Sequence, residues 1–222
     1  MGRLSTKGRR GRARWSERHA RAGVAAPAER LTAGVAFDAG TIAQLSSRPG
    51  WFPSVGAVTE PFDDLMTANR EFASTFTLRG YDGIAHAGVA VVTCMDSRID
   101  PLRMLGLKPG DAKIFRNPGG RVTQAALEAL VLCAHLLNVD RILVVPHTRC
   151  TMASNTEHEL RDRVSASAGQ DASWQSFSVV DDQLAALHED VRKVRSHPLI
   201  PDTVAIGGFV YDVDTGLIEQ KV

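Results

Sequence analysis

The chain has 222 residues, and 44% of them are hydrophobic, which is enough for a large folded domain with a real core. Its net charge is +1, so the overall charge gives no reason to expect a nucleic-acid or membrane partner. The apolar runs stay below the roughly 18 residues that a membrane-spanning helix needs, so we expect no such helix.

The first 60 residues differ in composition from the rest. Residues 1–30 contain nine Lys or Arg and only two acidic residues, and residues 46–61 are dense in Pro, Gly and Ser. Such segments bury too little apolar surface to offset their ordering entropy. We therefore predict a basic, disordered N-terminal extension and linker over residues 1–60, and one α/β domain over residues 61–222. A nucleic-acid-binding tail and an organellar targeting peptide are less well supported, because the segment has few aromatic residues and little Ser.

From Pro61 onward the hydrophobic pattern becomes regular. Apolar residues at helical spacing predict helices over 62–77, 100–110, 122–138, 151–167 and 179–197. Continuous apolar, β-branched runs predict strands over 88–94, 112–117, 141–148, 203–213 and 217–220. The last two strands are joined by a short turn and predict a hairpin. This alternation indicates an α/β fold with a mainly parallel central sheet and an antiparallel edge strand, flanked by helices.

Two polar clusters follow predicted buried strands. One contains Cys94 and ends the first strand, and the other contains His147 and Cys150 and ends the third. Ligands of such sheets bind outside the carboxyl ends of the strands, so we expect the two clusters to meet. Two thiolates and one imidazole are the donors that tetrahedral zinc prefers. Three protein ligands leave a fourth position open, which is typical of catalytic rather than structural zinc.

Asp96 has two possible roles beside this cluster. It could be a fourth metal ligand that closes the site, or it could pair with Arg98 and accept a hydrogen bond from water at the metal. The two roles exclude each other, so the pair could act as a switch. A third interpretation is a helix N-cap with a surface ion pair.

The remaining cysteine, Cys133, lies within a predicted helix. A free cysteine in that position is more often a buried packing residue than a ligand. If two cysteines are ligands and the third is buried, no disulfide forms, and we expect a reducing, cytoplasmic compartment.

Three motifs occur in a specific order and spacing. They are Cys94-x-Asp96-x-Arg98, Arg116-Asn117-x-Gly119 and His147-x-x-Cys150. Together they resemble the β-class carbonic anhydrases, in particular the short bacterial type, and the resemblance covers residues 61–222. It implies a mostly parallel α/β sheet with one antiparallel edge strand.

The resemblance also implies a site. Zinc would be bound by Cys94, His147 and Cys150, with Asp96 and Arg98 as the catalytic dyad. The implied reaction is the reversible hydration of carbon dioxide to bicarbonate, by a zinc-bound hydroxide that Asp96 orients. Zinc lowers the pKa of bound water from about 15.7 to about 7, which makes hydroxide available at neutral pH. Val, Ile and Phe side chains near the strand ends would supply an apolar pocket for the gas.

Members of this family are dimers or multiples of dimers. The predicted helix over 62–77 would be the arm that embraces the partner subunit, and the only other partner expected is the small-molecule substrate. Two alternatives stay open: a related hydrolase of carbonyl sulfide or carbon disulfide, and a zinc-binding but catalytically weak paralogue.

Three residues depart from the family's usual pattern. Thr151 replaces the glycine after the second cysteine, Arg149 replaces a small polar residue, and Pro118 replaces an alanine. Glycine reaches positive φ easily and threonine does not, so Thr151 predicts an altered start of the following helix. Pro118 removes an N–H donor near the site. Thr151 and Pro118 favour the weak paralogue.

Overall fold

The computed structural model describes residues 60–222, and almost all of the extension predicted over residues 1–60 lies outside that range. The described strands are β1 (Val89–Cys94), β2 (Ala112–Asn117), β3 (Arg141–Val145), β4 (Ala205–Tyr211) and β5 (Ile218–Gln220). The described α-helices are α1 (Asp63–Ser74), α2 (Gln124–Leu136), α3 (Thr151–Ser154), α4 (Glu157–Ala168) and α5 (Gln183–Arg195). Short 3-10 turns follow the first two strands, at Arg103–Leu105 and Pro118–Gly120.

The strands form one sheet in the order β2-β1-β3-β4-β5. β1 pairs in parallel with β2 and β3, β3 pairs in parallel with β4, and β5 runs antiparallel to β4. This confirms the predicted fold class, including the terminal hairpin. In register, Thr93 pairs with Val145 and Cys94 pairs with Asn117, so β1, β2 and β3 end at the same edge of the sheet.

Both faces of β1 are covered, and every residue of this strand is buried. Ala90 and Val92 pack with α2 and α5, whereas Val89 and Val91 belong to a second apolar cluster on the opposite face. Full burial of a valine side chain contributes about 1.5–3 kcal/mol to stability. The central strand is therefore a stable support for Cys94 at its end and for the polar residues that follow it. Cys133 of α2 is 0% exposed, which confirms it as a core packing residue.

Two helices begin directly after side chains that cap them. The Thr123 hydroxyl accepts a hydrogen bond from the Ala126 N–H at the start of α2. The Asp182 carboxylate accepts the N–H groups of Leu184 and Ala185, both at 2.9 Å, at the start of α5. Each of these caps satisfies backbone donors that the helix leaves unpaired.

The prediction of one helix over 151–167 is wrong, because α3 ends at Ser154 and α4 begins at Glu157. Thr156 and Glu159 form a capping box in which each side chain bonds the other residue's backbone N–H. This capping box starts a new helix, so the helical hydrogen bonding is interrupted between α3 and α4. The short helix predicted within 100–110, with its closing Gly/Pro turn, forms only as the 3-10 turn Arg103–Leu105, which ends at the left-handed Gly106.

The first helix, α1, contains no buried residue. Leu65 and Phe72 of this helix, and Phe62 directly before it, are each more than 60% exposed. An amphipathic helix of this kind has an apolar face without a partner in the described part of the chain. Among residues 60–222, no helix combines the length and hydropathy required to cross a bilayer.

Candidate metal centre

The ends of β1 and β3 bring three predicted ligands into one buried cluster. The ligand atoms of Cys94, His147 and Cys150 all lie within 4.8 Å of one another. The residues are 5%, 0% and 3% exposed, respectively. The Sγ atoms of Cys94 and Cys150 are 3.9 Å apart. Two thiolates on a tetrahedral zinc with Zn–S bonds of about 2.3 Å would be separated by about 3.8 Å, so the spacing fits zinc.

The imidazole of His147 is oriented to offer one nitrogen to this cluster. Its Nδ1 lies 2.8 Å from the backbone oxygen of Thr148, so Nδ1 carries the proton and donates it. Its Nε2 is buried and has no hydrogen-bond partner among the described residues. A buried nitrogen without a partner is rare in folded proteins and fits a metal ligand. Gln183 Nε2 donates to the His147 carbonyl oxygen at 2.9 Å and fixes the backbone.

The two thiols share one hydrogen bond and therefore differ in acidity. The bond from Cys150 lowers the pKa of Cys94, and the His147 imidazole and the backbone N–H groups of Asp96 and Gly119 also favour the Cys94 thiolate. The same bond raises the pKa of Cys150, because it favours the protonated thiol, and burial of that thiol raises its pKa further. A divalent cation between the sulfurs would stabilise both as thiolates.

Asp96 and Arg98 form a two-pronged ion pair next to the cluster. Arg98 Nε donates to Asp96 Oδ1 at 2.9 Å, and Arg98 Nη2 donates to Oδ2 at 2.7 Å. This pairing holds the pKa of Asp96 well below its usual range. Asp96 Oδ2 is also 3.7 Å from His147 Nε2. The carboxylate of Asp96 is therefore ionised, held by the guanidinium and adjacent to the candidate ligands. The residues after Asp96 form a turn and not a helix, so the helix N-cap interpretation is wrong.

Arg116 has a contact role that the sequence did not predict. Its Nε donates to the Cys94 carbonyl oxygen at 2.9 Å, and its Nη2 donates to the Asp96 carbonyl oxygen. The guanidinium thus fixes the backbone on both sides of Met95. The Arg-Asn-x-Gly motif marks Arg116 in the sequence, but the motif alone does not say which atoms the arginine binds.

Thr151 and Pro118, two of the three departures from the family pattern, cause little disturbance of the backbone. Thr151 begins α3, and the left-handed residue is Arg149, with φ 55°. The position of Thr151 therefore does not require glycine, and the altered helix start is not found. Pro118 is the first residue of a 3-10 turn, where an N–H is not needed. The Arg149 guanidinium turns outward to Asp214 and is 60% exposed.

The apolar surroundings of the cluster differ from the expected Val, Ile and Phe side chains. Ile99 packs with Cys94 and Cys150, and the other apolar neighbours are Met104, Met152, Ala153 and Tyr211. Only the isoleucine was predicted by type. The two methionines are flexible and polarisable, and they fill the irregular space beside the sulfurs.

Comparison with known proteins shows the family of the chain. The family model described as carbonic anhydrase matches residues 89–218. A β-carbonic anhydrase 1 from Mycobacterium bovis is 30% identical over 159 residues, covering 71% of this chain and 96% of the relative. A carbon disulfide hydrolase from Acidianus sp. is 33% identical over 165 residues, covering 63% and 80%.

Solved structures agree with the sequence comparisons. The crystal structure of carbonic anhydrase from Streptococcus mutans has a TM-score of 0.63 and 36% identity, and the match covers 73% of this chain and 98% of the other. The family match extends over more than half of the chain and contains every residue of the buried Cys/His/Cys cluster. On these grounds the chain belongs to the β-carbonic anhydrase family.

Proposed function

We propose that the protein catalyses the zinc-dependent, reversible hydration of carbon dioxide to bicarbonate. Cys94, His147 and Cys150 would hold the zinc, and Asp96 and Arg98 would form the catalytic dyad. The observation that carries this proposal is the unpartnered, buried His147 Nε2, which faces two close thiols and lies 3.7 Å from an ionised carboxylate oxygen. When bound, zinc supplies a Lewis acid that makes water nucleophilic near neutral pH.

In this proposal Asp96 orients the nucleophile. Its Oδ2 accepts a hydrogen bond from the attacking water, and the lone pair of that water then points toward the substrate carbon. Arg98 keeps the carboxylate ionised, because a nearby cation favours the charged form. Arg98 also binds both carboxylate oxygens, which restrains Asp96 from turning to the metal. Asp96 therefore acts as an acceptor of fixed direction.

The surroundings of the cluster suit a small apolar substrate. Ile99, Met104 and Met152 place hydrocarbon and thioether groups around the candidate ligands. Carbon dioxide has no net dipole, so it binds such a surface without losing hydrogen bonds to water.

Hydrolysis of carbon disulfide or carbonyl sulfide is the second candidate. Its support is the 33% identity to the Acidianus carbon disulfide hydrolase. These molecules, like carbon dioxide, have a central carbon between two electronegative or polarisable atoms. A water-derived nucleophile could therefore attack either class, and the dyad would have the same role in both.

We propose a homodimer or a dimer of dimers as the working assembly. The exposed apolar face of α1 supports this, because an isolated apolar face of several large side chains is typical of a subunit contact. The three free, buried cysteines support a reducing, cytoplasmic location. Light scattering of the purified chain would test the assembly, and a monomer at micromolar concentration would contradict it.

Stopped-flow kinetics of the zinc-loaded chain tests the proposed reaction. Carbon dioxide hydration would be followed between about pH 7 and 9, where zinc makes water nucleophilic. Hydrogen sulfide release from carbon disulfide would be measured on the same preparation. We expect hydration well above the buffer rate. Release of hydrogen sulfide without hydration would favour the second candidate, and no rate with either substrate would contradict both.

A further inference from the structure

Arg149 occupies an unusual position between two candidate ligands, His147 and Cys150. Its φ is 55°, which makes it one of two non-glycine residues with positive φ in the described chain. This left-handed conformation is unfavourable for most L-residues and persists only where neighbouring contacts hold it. The turn at Arg149 lies between the imidazole and the second thiol.

The guanidinium of Arg149 is held by the turn of the β4–β5 hairpin. Its Nη2 donates to Asp214 Oδ1. That turn is itself ordered, because Asp212 Oδ1 accepts the backbone N–H groups of Asp214 and Thr215 at 2.8 and 3.0 Å. Arg149 is therefore paired to a fixed point of the fold, and the two residues are 65 positions apart in sequence.

Thr148 ties the same loop to the same hairpin. Its backbone N–H donates to the Tyr211 carbonyl oxygen at 2.9 Å. Its Oγ1 accepts the Val213 N–H at 3.1 Å. Together with the ion pair, these bonds fix both residues that separate the two candidate ligands.

We propose that Arg149 and Asp214 form a positioning pair that locks the His147–Cys150 loop onto the hairpin and so aims both ligands at the metal. The inference rests on the proposed zinc site. It goes beyond that site because it assigns a function to a charged residue whose side chain points away from the ligands.

The charges of the pair also bear on the catalytic dyad. Asp214 helps to raise the pKa of Arg98, after the larger contribution of Asp96. Its carboxylate therefore lies within electrostatic reach of Arg98.

The test compares Arg149→Gly, Arg149→Asp and the exchanged variant Arg149→Asp/Asp214→Arg with the wild type. Glycine keeps the left-handed backbone and removes only the guanidinium. Aspartate tolerates that conformation and places two carboxylates opposite each other. The measurements are zinc release to a chromophoric chelator and the visible spectrum of the cobalt-substituted protein. Asp162→Ala, which removes an exposed carboxylate of α4, is the control.

We expect Arg149→Gly to release zinc about three- to fivefold faster, which is the range that an exposed ion pair supports. Arg149→Asp should release it about tenfold faster and alter the cobalt spectrum, because like charges repel. The exchanged variant should return to within about twofold of wild type. Thermal stability should not fall in Arg149→Gly, because the ion pair is more than half exposed and glycine relieves the left-handed strain at position 149.

Two results would overturn the inference. One is a wild-type rate of zinc release and an unaltered cobalt spectrum in Arg149→Asp. The other is an exchanged variant that releases zinc as fast as Arg149→Asp. A wild-type chain that takes up no zinc would instead contradict the proposed function, and the inference would fail with it.

Discussion

Gly120 lies directly against the backbone of Cys94. A Cβ at position 120 would come within 2.9 Å of the Cys94 nitrogen, and the φ of Gly120 is +67°. Asn117 closes the turn on the other side, since its side chain accepts the Arg121 N–H at 2.8 Å and donates to the Arg121 carbonyl oxygen at 2.7 Å. The candidate ligand therefore depends on a turn that only glycine can occupy.

Gly120→Ala should displace Cys94 and weaken zinc binding. The positive φ costs about 1–2 kcal/mol for an L-residue, and forced overpacking adds about 1–3 kcal/mol. We expect a loss of unfolding free energy of about 3 kcal/mol, measured by urea denaturation, together with a zinc content below the wild-type value.

Gly169→Ala is the matched control for this substitution. Gly169 has a similar φ of +65°, but no atom lies within 4 Å of its added Cβ. The Gly169→Ala variant should therefore lose about 1–2 kcal/mol of unfolding free energy, the cost of positive φ for an L-residue, and keep full zinc content. Equal losses of stability in the two variants would contradict the contact with Cys94.

Asp96→Asn should abolish most of the activity without removing zinc. The amide has nearly the same shape, but it cannot act as an ionised acceptor for the attacking water. Loss of such a group lowers rates by about 10²–10⁴-fold. Stopped-flow hydration at alkaline pH and zinc analysis of the same sample check this. A variant that hydrates carbon dioxide at the wild-type rate would contradict the catalytic role of Asp96, and one that loses zinc would make it a ligand.

Serine at each of the three cysteine positions separates ligands from packing residues. Cys94→Ser and Cys150→Ser should lose zinc, because a serine hydroxyl is a much poorer zinc donor than a thiolate. Cys133→Ser should keep one zinc per chain and lose stability, since it places a hydroxyl in a fully buried position. Zinc analysis after dialysis and thermal unfolding distinguish these outcomes. Retention of zinc by Cys94→Ser would refute the ligand assignment.

Much of the fold is predictable because hydrophobic and capping patterns in the local sequence indicate where strands and helices begin and end. The buried run that ends at Cys94 is continuous and β-branched, which is typical of a central parallel strand. The meeting of Cys94 with His147 follows from the rule that parallel strands end at one edge of the sheet. The break before α4 was also readable, because Thr156 and Glu159 have the spacing of a capping box.

Other features depend on contacts between distant residues and leave no local pattern. Arg149 pairs with Asp214 across 65 positions, and Arg121 pairs with Asp190 across 69. Charged residues at such spacings are usually solvated, so nothing in the sequence singles out these pairs. Only the packing of the hairpin and of α5 against the strand ends brings the partners together.

Asp190 of α5 should contribute most to stability among these charged contacts. It is 1% exposed. Its Oδ2 accepts Arg121 Nε at 2.6 Å and the Val122 N–H at 3.1 Å, and its Oδ1 accepts Arg121 Nη2 at 3.1 Å. Asp190→Ala would leave the guanidinium largely buried without its partner and orphan the Val122 donor, at a cost of about 3–5 kcal/mol.

The control for Asp190→Ala is Asp162→Ala, whose carboxylate is 66% exposed and lies 3.5 Å from His158. Its loss should change the unfolding free energy by less than about 0.5 kcal/mol. Because Arg121 directly follows the turn that contacts Cys94, Asp190→Ala should also lower zinc affinity, whereas the control should not. Urea denaturation and chelator competition measure the two effects. A stability loss of Asp190→Ala as small as the control's would contradict the predicted contribution of the buried Arg121–Asp190 pair, and Glu189, whose carboxylate lies 3.6 Å from the Arg121 guanidinium, would then be a sufficient partner.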